Sequence, residues 1–246
     1  MATVDSFFAI RTMQAIEVLA FQPSTAPQVA DALRVDTRTA RRLLNRLAGE
    51  GWITRTEGRV RTYTLSLRLV ALASHFLERA PLTAAATAVV HALHDRTGCK
   101  ANVTVPSYRS VLCLACSAGE PHPRKLIPAH AIAGGKVLLA HRHAWRESVL
   151  ERPLERVTER TVVDPDVLRD ECREIVDRGF AFEDGEYREG LQSVAAPVAD
   201  ATGDVMIAVA LTGPRELDVA AHIDTLKDAA DALQQELEQL RAASGP

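Results

Sequence analysis

Between Thr37 and Gly49 the chain runs thirteen residues without a single acid, and within that run Ala40, Leu43, Leu44 and Leu47 recur at i, i+3, i+4 and i+7. That spacing dictates an amphipathic helix with one buried apolar stripe. The opposite side carries Arg38, Thr39, Arg41, Arg42, Asn45 and Arg46. Solvated helix faces usually alternate in sign, whereas this one holds four guanidinium groups and no counter-charge. Arginine bridges phosphates or reads guanine bidentately, and Asn reads adenine, so the mixture suits a helix lying in the major groove of DNA.

The flanking segments fit such a helix. A first amphipathic helix is expected over Ser6 to Phe21, with Ile10, Met13, Ile16 and Leu19 or Ala20 along one side. After a turn at Gln22-Pro23-Ser24, Thr25 and Gln28 have the form of a capping box for a short helix through Val29, Ala30 and Leu33. Arg34-Val35-Asp36 is the tight turn, and Asp36 or Thr37 caps the arginine helix. Beyond Gly49-Glu50-Gly51 the period changes to two. Trp52 to Thr56 and Val60 to Leu65 read as strands around a Glu57-Gly58-Arg59 turn. Three helices and a basic hairpin make a winged helix-turn-helix, whose wing would set Arg55, Arg59 and Arg61 against the DNA backbone or minor groove. With Thr37 at the helix start, the candidate DNA-binding residues are Thr37, Arg38, Thr39, Arg41, Arg42, Asn45, Arg46, Arg55, Arg59 and Arg61.

Charge separates this segment from the rest. Residues 1–75 hold ten Arg, no Lys and six acids, leaving 19 basic and 26 acidic residues for the remainder of the 246. A basic first third on an acidic body implies one part that meets a polyanion and one that does not. The length suits two domains. The N-terminal stretch mixes charged and apolar residues, unlike a secretory signal, so a cytoplasmic protein without membrane contact is expected. Cys99, Cys113, Cys116 and Cys172 then remain thiols.

From Leu67 to Arg79 a helix capped by Ser66 is expected, stopped by Pro81, and from Thr83 to about Arg96 an alanine-rich helix ending at Gly98. The rest alternates strands and helices in an α+β pattern. Strands are expected at Ala101 to Pro106, Ser110 to Ser117, Phe180 to Asp184, Leu191 to Asp200 and Val205 to Leu211. Helices are expected at Ile132 to Arg142, at Ala144 to Leu150, and from Asp164-Pro165 to Gly179 with Leu168, Cys172, Ile175 and Val176 inward. Val219, Ile223, Leu226, Ala230, Leu233, Leu237 and Leu240 mark a terminal helix that packs on its own domain or, less favoured, forms a coiled coil.

TMQAIEVLAF, VADALRVDTRTARRLLNRLAGEGWITR and a hairpin ending in YTLSLRLVALA resemble the DNA-binding domain of the IclR family of bacterial transcription regulators. KLIPAHAIAGGKVLLA and RGFAFEDGEYREGLQSVAAPVADATGDVMIAVALTGP resemble its second half, in the same order. Arg41 departs from the aromatic or aliphatic residue common there. The resemblance implies a winged helix-turn-helix over 1–66, a helical linker over 67–82 that contributes dimer contacts, and a GAF-like effector-binding domain over 83–246, with an antiparallel sheet flanked by helices. It implies a homodimer or homotetramer on a pseudo-palindromic site in double-stranded DNA, with RNA polymerase as a further candidate contact.

Gly134-Gly135 at a helix start presents backbone N–H groups to a carboxylate, favouring a small organic anion. Carried over residue by residue, the family's effector positions fall on Cys116, Gly119, Ile127, Ala133, Gly134, Glu183, Leu191, Ser193, Ala210 and Thr212. A carboxylate or aromatic acid is the expected effector, with no cofactor. Three other readings rank lower. Cys113 and Cys116 form C-x-x-C, but strand alternation points their sulfurs to opposite faces, so no metal is expected. The clustered histidines lack a second ligand pair of zinc spacing, and His130 is placed at the helix entrance or pocket edge. Glu183, Asp184 and Glu186 are a carboxylate cluster of the kind an enzyme uses, yet such loop carboxylates usually face water, and the catalytic fingerprints searched for are absent, so no enzyme is expected. The alternatives to a regulator are an enzyme or a protein-recruiting module with an accessory DNA-binding domain.

Overall fold

A computed structural model describes residues 4–56, 58, 60–79, 82–118, 127–200 and 202–243. The chain divides into two compact units, Met1–Ala80 and Pro81–Pro246.

In the first unit α1 (Val4–Phe21), α2 (Ala26–Leu33) and α3 (Thr37–Gly49) accompany an antiparallel sheet in the order β1 (Ser24–Thr25), β3 (Thr62–Leu65), β2 (Ile53–Thr56). Local chemistry sets the helix boundaries. The Thr25 N–H donates to Gln28 Oε1 at 2.8 Å and Thr25 Oγ1 accepts from the Gln28 N–H at 3.4 Å, closing the capping box. Arg34 turns the chain at φ +51°, and Asp36 caps α3 by accepting from the Thr39 N–H at 2.9 Å. Ala40, Leu43, Leu44 and Leu47 are buried with Val29, Leu33, Ile53 and Tyr63. Each leucine contributes roughly 1.5–3 kcal/mol by leaving water.

One detail of this unit departs from expectation. Among the described side chains of α1 the buried ones are Ala15 and Leu19, while Ile10 and Met13 are 53% and 62% exposed. Only the second half of that apolar side reaches the unit's core. Just before the next helix, α4 (Leu67–Arg79), the Ser66 hydroxyl donates to the Gly51 carbonyl at 2.6 Å. A hydroxyl donates as readily as it accepts. Arg68 adds to the tie, donating to the Glu50 carbonyl at 2.9 Å and lying 4.0 Å over the Trp52 ring.

The second unit is the expected α+β, GAF-like arrangement. Its six-stranded sheet is antiparallel throughout, in the order β6 (Ile127–Pro128), β5 (Ser110–Cys116), β4 (Lys100–Ser107), β9 (Val205–Pro214), β8 (Leu191–Ala199), β7 (Ala181–Asp184). On one face pack α5 (Leu82–Thr97) and α9 (Ile223–Ala243), where Val90 and Leu93 meet Leu226, Ala230 and Leu233 over Val103, Val209 and Leu211. The terminal helix thus packs on its own unit, and Val219 lies just before it in a 3-10 turn. On the other face pack α6 (Ala133–His141) and α8 (Pro165–Arg178), with α7 (His143–Leu150) beside α6. Val176 does not face inward as expected. It is 48% exposed, one residue past the buried Leu168, Cys172, Ile175 stripe.

A bulge corrects the sulfur directions. Asn102 pairs with Cys116, Val103 with Ala115 and Thr104 with Cys113, so three residues of β4 oppose four of β5 and Leu114 is the extra one. Alternation is broken there, and both sulfurs share the face of Asn102 and Thr104.

Candidate functional site

The arginine face stands in the open. Arg38, Arg41, Arg42, Asn45 and Arg46 are exposed, and Thr37 and Thr39 are half-buried at the helix start. The Thr39 hydroxyl donates to Asp36 Oδ2 at 2.7 Å, so it belongs to the cap. These hydrogen bonds hold the Asp36 carboxyl below the usual carboxylate range. A groove of about 550 Å³ lies beside the hairpin, lined by Arg55 and Arg61 together with Ala48, Gly51, Ile53, Thr54 and Thr56. Thr56 and Thr62 join their hydroxyls across the strands. Arg59, the expected wing-tip residue, lies outside the described residues.

In the second unit, strand register gathers the other candidates. Ala181, Ala195, Ala210, Asn102 and Cys116 form one row across five strands, each paired directly with the next. Two residues along the strands, Glu183, Ser193 and Thr212 form a second row on the same face, and Leu191 lies two residues beyond Ser193. Ile127 on β6 packs toward this side with Ala133. Eight of the ten candidates are thus strand residues or helix residues on one side of one sheet, and Gly134 joins them through Thr104. Gly119 lies outside the described residues.

The glycine pair has a packing role that its sequence did not reveal. A Cβ on Gly135 would sit 2.1 Å from the Ala129 carbonyl oxygen, and one on Gly134 would sit 2.6 Å from Thr104 Oγ1. Only glycine lets α6 approach β4 and the Ala129–Ala131 turn this closely. No side chain caps α6, whose Ala133 to Ala140 are all buried.

Beside this face lies a buried ionic cluster. Lys136, fully buried, donates to both oxygens of Glu171 at 2.8 Å and to Glu186 Oε1. Glu186 Oε2 accepts from the Val162 N–H at 3.2 Å, and the Thr161 hydroxyl donates to the Glu186 carbonyl at 2.6 Å. The Glu186 N–H donates to Glu183 Oε2 at 2.9 Å, and Ser193 Oγ donates to Glu183 Oε1 at 2.9 Å.

The loop carboxylates therefore do not face water. Glu183 and Glu186 are 3% and 8% exposed, and Asp184 is bound by Arg160 and Arg215. Burial pushes the Glu183 carboxyl up to about 7, against the pull of the Glu186 N–H and the Ser193 hydroxyl. Burial also raises Glu171, and it lowers His130, whose Nε2 meets the Glu155 carbonyl at 2.8 Å. Sequence reasoning missed Lys136. The available signal was a single charge in an otherwise apolar helix, AGGKVLLAH, which demands a buried partner.

Cys113 and Cys116, brought to one face, are both half-buried, and burial pushes the Cys113 thiol up to about 11. Among the described residues no group of three His, Cys, Asp or Glu side chains could hold a metal ion, and no helix is long and apolar enough to cross a membrane.

Comparison with known proteins gives a consistent answer. The family model described as bacterial transcriptional regulator IclR C-terminal matches residues 74–239. The HTH-type transcriptional regulator BhcR of Paracoccus denitrificans is 26% identical over 92% of this chain and 84% of its own. The Pca regulon regulatory protein of Pseudomonas putida is 27% identical over 81% of this chain and 68% of its own. Among solved structures, an IclR homolog from Microbacterium hydrocarbonoxydans complexed with 4-hydroxybenzoate superposes with a TM-score of 0.63 at 24% identity, covering 94% of this chain and 99% of that one.

Proposed function

The chain belongs to the IclR family of bacterial transcriptional regulators, and on that premise we propose that it binds a pseudo-palindromic operator as a homodimer or dimer of dimers and is switched by a small organic acid. The observation that carries the DNA-binding half is the exposed, acid-free arginine face of α3 opposite a fully buried leucine stripe. In this reading Arg38, Arg41, Arg42, Asn45 and Arg46 enter the major groove, Thr37 and Thr39 approach the phosphates, and Arg55, Arg59 and Arg61 bind the flanking backbone.

The linker is assigned to residues 67–82, between DNA-binding residues 1–66 and the effector-binding domain 83–246. Ile10 and Met13 on α1 and Leu67, Val70 and Leu72 on α4 are large apolar side chains left more than half exposed. A second subunit would cover such surface, which supports a dimer that holds two recognition helices at one operator spacing.

The acid would lie against the sheet face of Cys116, Ser193, Ala210 and Thr212, at the opening of α6 near Ala133 and Gly134, with Ile127, Glu183 and Leu191 around it; Gly119 remains a candidate through the family resemblance. Small alanines on three strands and a few hydroxyls suit an aromatic or aliphatic monocarboxylate, and a structural relative holds 4-hydroxybenzoate. The acid acts by differential affinity for two protein states, altering DNA affinity or contacts to polymerase. The protein works in the cytoplasm without a cofactor and returns its ligand unchanged.

The test has two arms. Genome-wide mapping of bound DNA should give a small set of sites with two related half-sites, each binding the purified protein with strong salt dependence. Calorimetry against a panel of monocarboxylates that includes 4-hydroxybenzoate should give at least one saturable heat, and that acid should change operator affinity. A purified dimer indifferent to every duplex at low salt removes the DNA reading. Binding of neutral amines or sugars with no acid bound removes the effector reading.

A further inference from the structure

Lys136 lies one residue beyond the glycine pair that opens α6, and a lysine there would be the obvious counter-ion for an acid. Its geometry points elsewhere. The ammonium is fully buried and its donors are spent on Glu171 of α8 and Glu186 of the loop after β7. Glu186 in turn offers its backbone N–H to Glu183, the carboxylate that Ser193 also holds. One chain of hydrogen bonds therefore runs from the fourth residue of α6 to the Glu183–Ser193 pair of β7 and β8.

We propose that Lys136 is a positioning residue for ligand recognition: through Glu186 and Glu171 it fixes the opening of α6 against the Glu183–Ser193 pair, without touching the ligand itself. The proposal rests on the reading of that face as the effector site.

Three carboxylates share this interior with one ammonium. Glu171 and Glu186 face it directly, and Glu183 faces it through the Glu186 backbone. The other charged groups nearby are engaged or displaced. Asp184 turns away to Arg160 and Arg215, Arg178 lies on the α8 side of Glu171, and His130 sits among Lys136, Glu186 and Arg109 with its ring on the Glu155 carbonyl. Lys136 is thus the cation that lets Glu186 stay folded inward, and it also favours the ionised form of Glu183. Without it, the buried Glu186 and the half-buried Glu171 lose their common partner. Glu186 then keeps its neutral contacts to Val162 and Thr161 but loses its cation, so its N–H is held less firmly toward Glu183 and the α6 opening loses its tether to α8.

The experiment compares the wild-type chain with Lys136→Met, Lys136→Arg and the charge-neutral triple variant Lys136→Met, Glu171→Gln, Glu186→Gln, using Glu183→Gln to assign signals. Carboxyl NMR of ¹³C-labelled glutamate follows the pH midpoint of Glu183, and calorimetry measures affinity for 4-hydroxybenzoate or whichever panel acid binds the wild type. Lys136→Met should raise the Glu183 midpoint and weaken acid binding at least about tenfold. Lys136→Arg should restore the midpoint and bring affinity within about threefold of wild type. The triple variant should recover affinity relative to Lys136→Met, because no uncompensated charge remains. Equal affinity loss in all three variants would mean that the ammonium itself holds the ligand, and an unmoved Glu183 midpoint in Lys136→Met would mean that the cluster does not reach that pair; either overturns the proposal. A wild-type protein that binds no acid sinks the effector reading, and the Glu183 midpoint still decides whether Lys136 governs the pair.

Discussion

Ser193 donates its hydroxyl to Glu183 Oε1 at 2.9 Å directly across paired strands β8 and β7, joining two residues ten apart in sequence inside the protein. Glu183 thereby holds two donors while remaining 3% exposed, and burial still outweighs them.

The first expectation concerns pH. The folded-state value of about 7 exceeds the ordinary 4.5, so the native state binds the Glu183 proton more tightly than the unfolded chain. Its contribution to stability is complete below about 4.5 and is lost as pH rises through 7. Glu183→Gln removes that dependence. Relative to wild type the variant should gain roughly 1–3 kcal/mol between about pH 5 and about pH 8, read from urea unfolding. A difference between the two proteins that stays constant over that range contradicts the assignment.

Two glycines should respond oppositely to the same change. Gly135→Ala drives a methyl into the Ala129 backbone and should cost at least about 2 kcal/mol or prevent folding of the second unit. Gly49→Ala meets nothing within 4 Å at the end of α3 and should be neutral or stabilise by up to about 1 kcal/mol. Thermal unfolding of both variants decides the matter.

The arginines of the first unit should divide into two behaviours on an operator. Arg42→Ala, on the open face of α3, should lose roughly 1–3 kcal/mol and relax preference at one base pair. Arg55→Ala, on the wing, should weaken all sequences alike and lower the salt slope by about one. Anisotropy titrations over a salt series separate them. Identical behaviour of the two variants would assign both to the same kind of contact.

At the start of α2, Thr25→Ala removes one half of the capping box and should cost about 1 kcal/mol. Thr25→Ser should recover most of it, since the accepting oxygen is kept. Urea midpoints measure both.

The features legible in the sequence are those written in short-range spacing. The stripe of Ala40, Leu43, Leu44 and Leu47, the Thr25–Gln28 box and the Asp36 cap all depend on residues within one or two turns, and the structure keeps each of them. The row of Glu183, Ser193 and Thr212 was legible only through the family resemblance, because nothing local ties three strands into register. What stayed hidden depends on a partner far along the chain. Lys136 stands as a lone charge in an apolar helix, and its partners Glu171 and Glu186 lie 35 and 50 residues away. Cys113 and Cys116 read as opposed until β4 forces Leu114 out of the pairing. Ile10 and Met13 follow helical period, yet period alone does not say how much of an apolar side a small core can cover.

From Ala133 to Ala140 the α6 helix is buried on every side, and its first turn is wedged between a carbonyl and a threonine. If the proposed acid enters at that turn, it must part atoms already in contact, and its association should then fall well short of the encounter rate. Were the effector site to lie there, the response would follow sustained acid levels more closely than brief pulses, a filter set by the tightness of one helix seat.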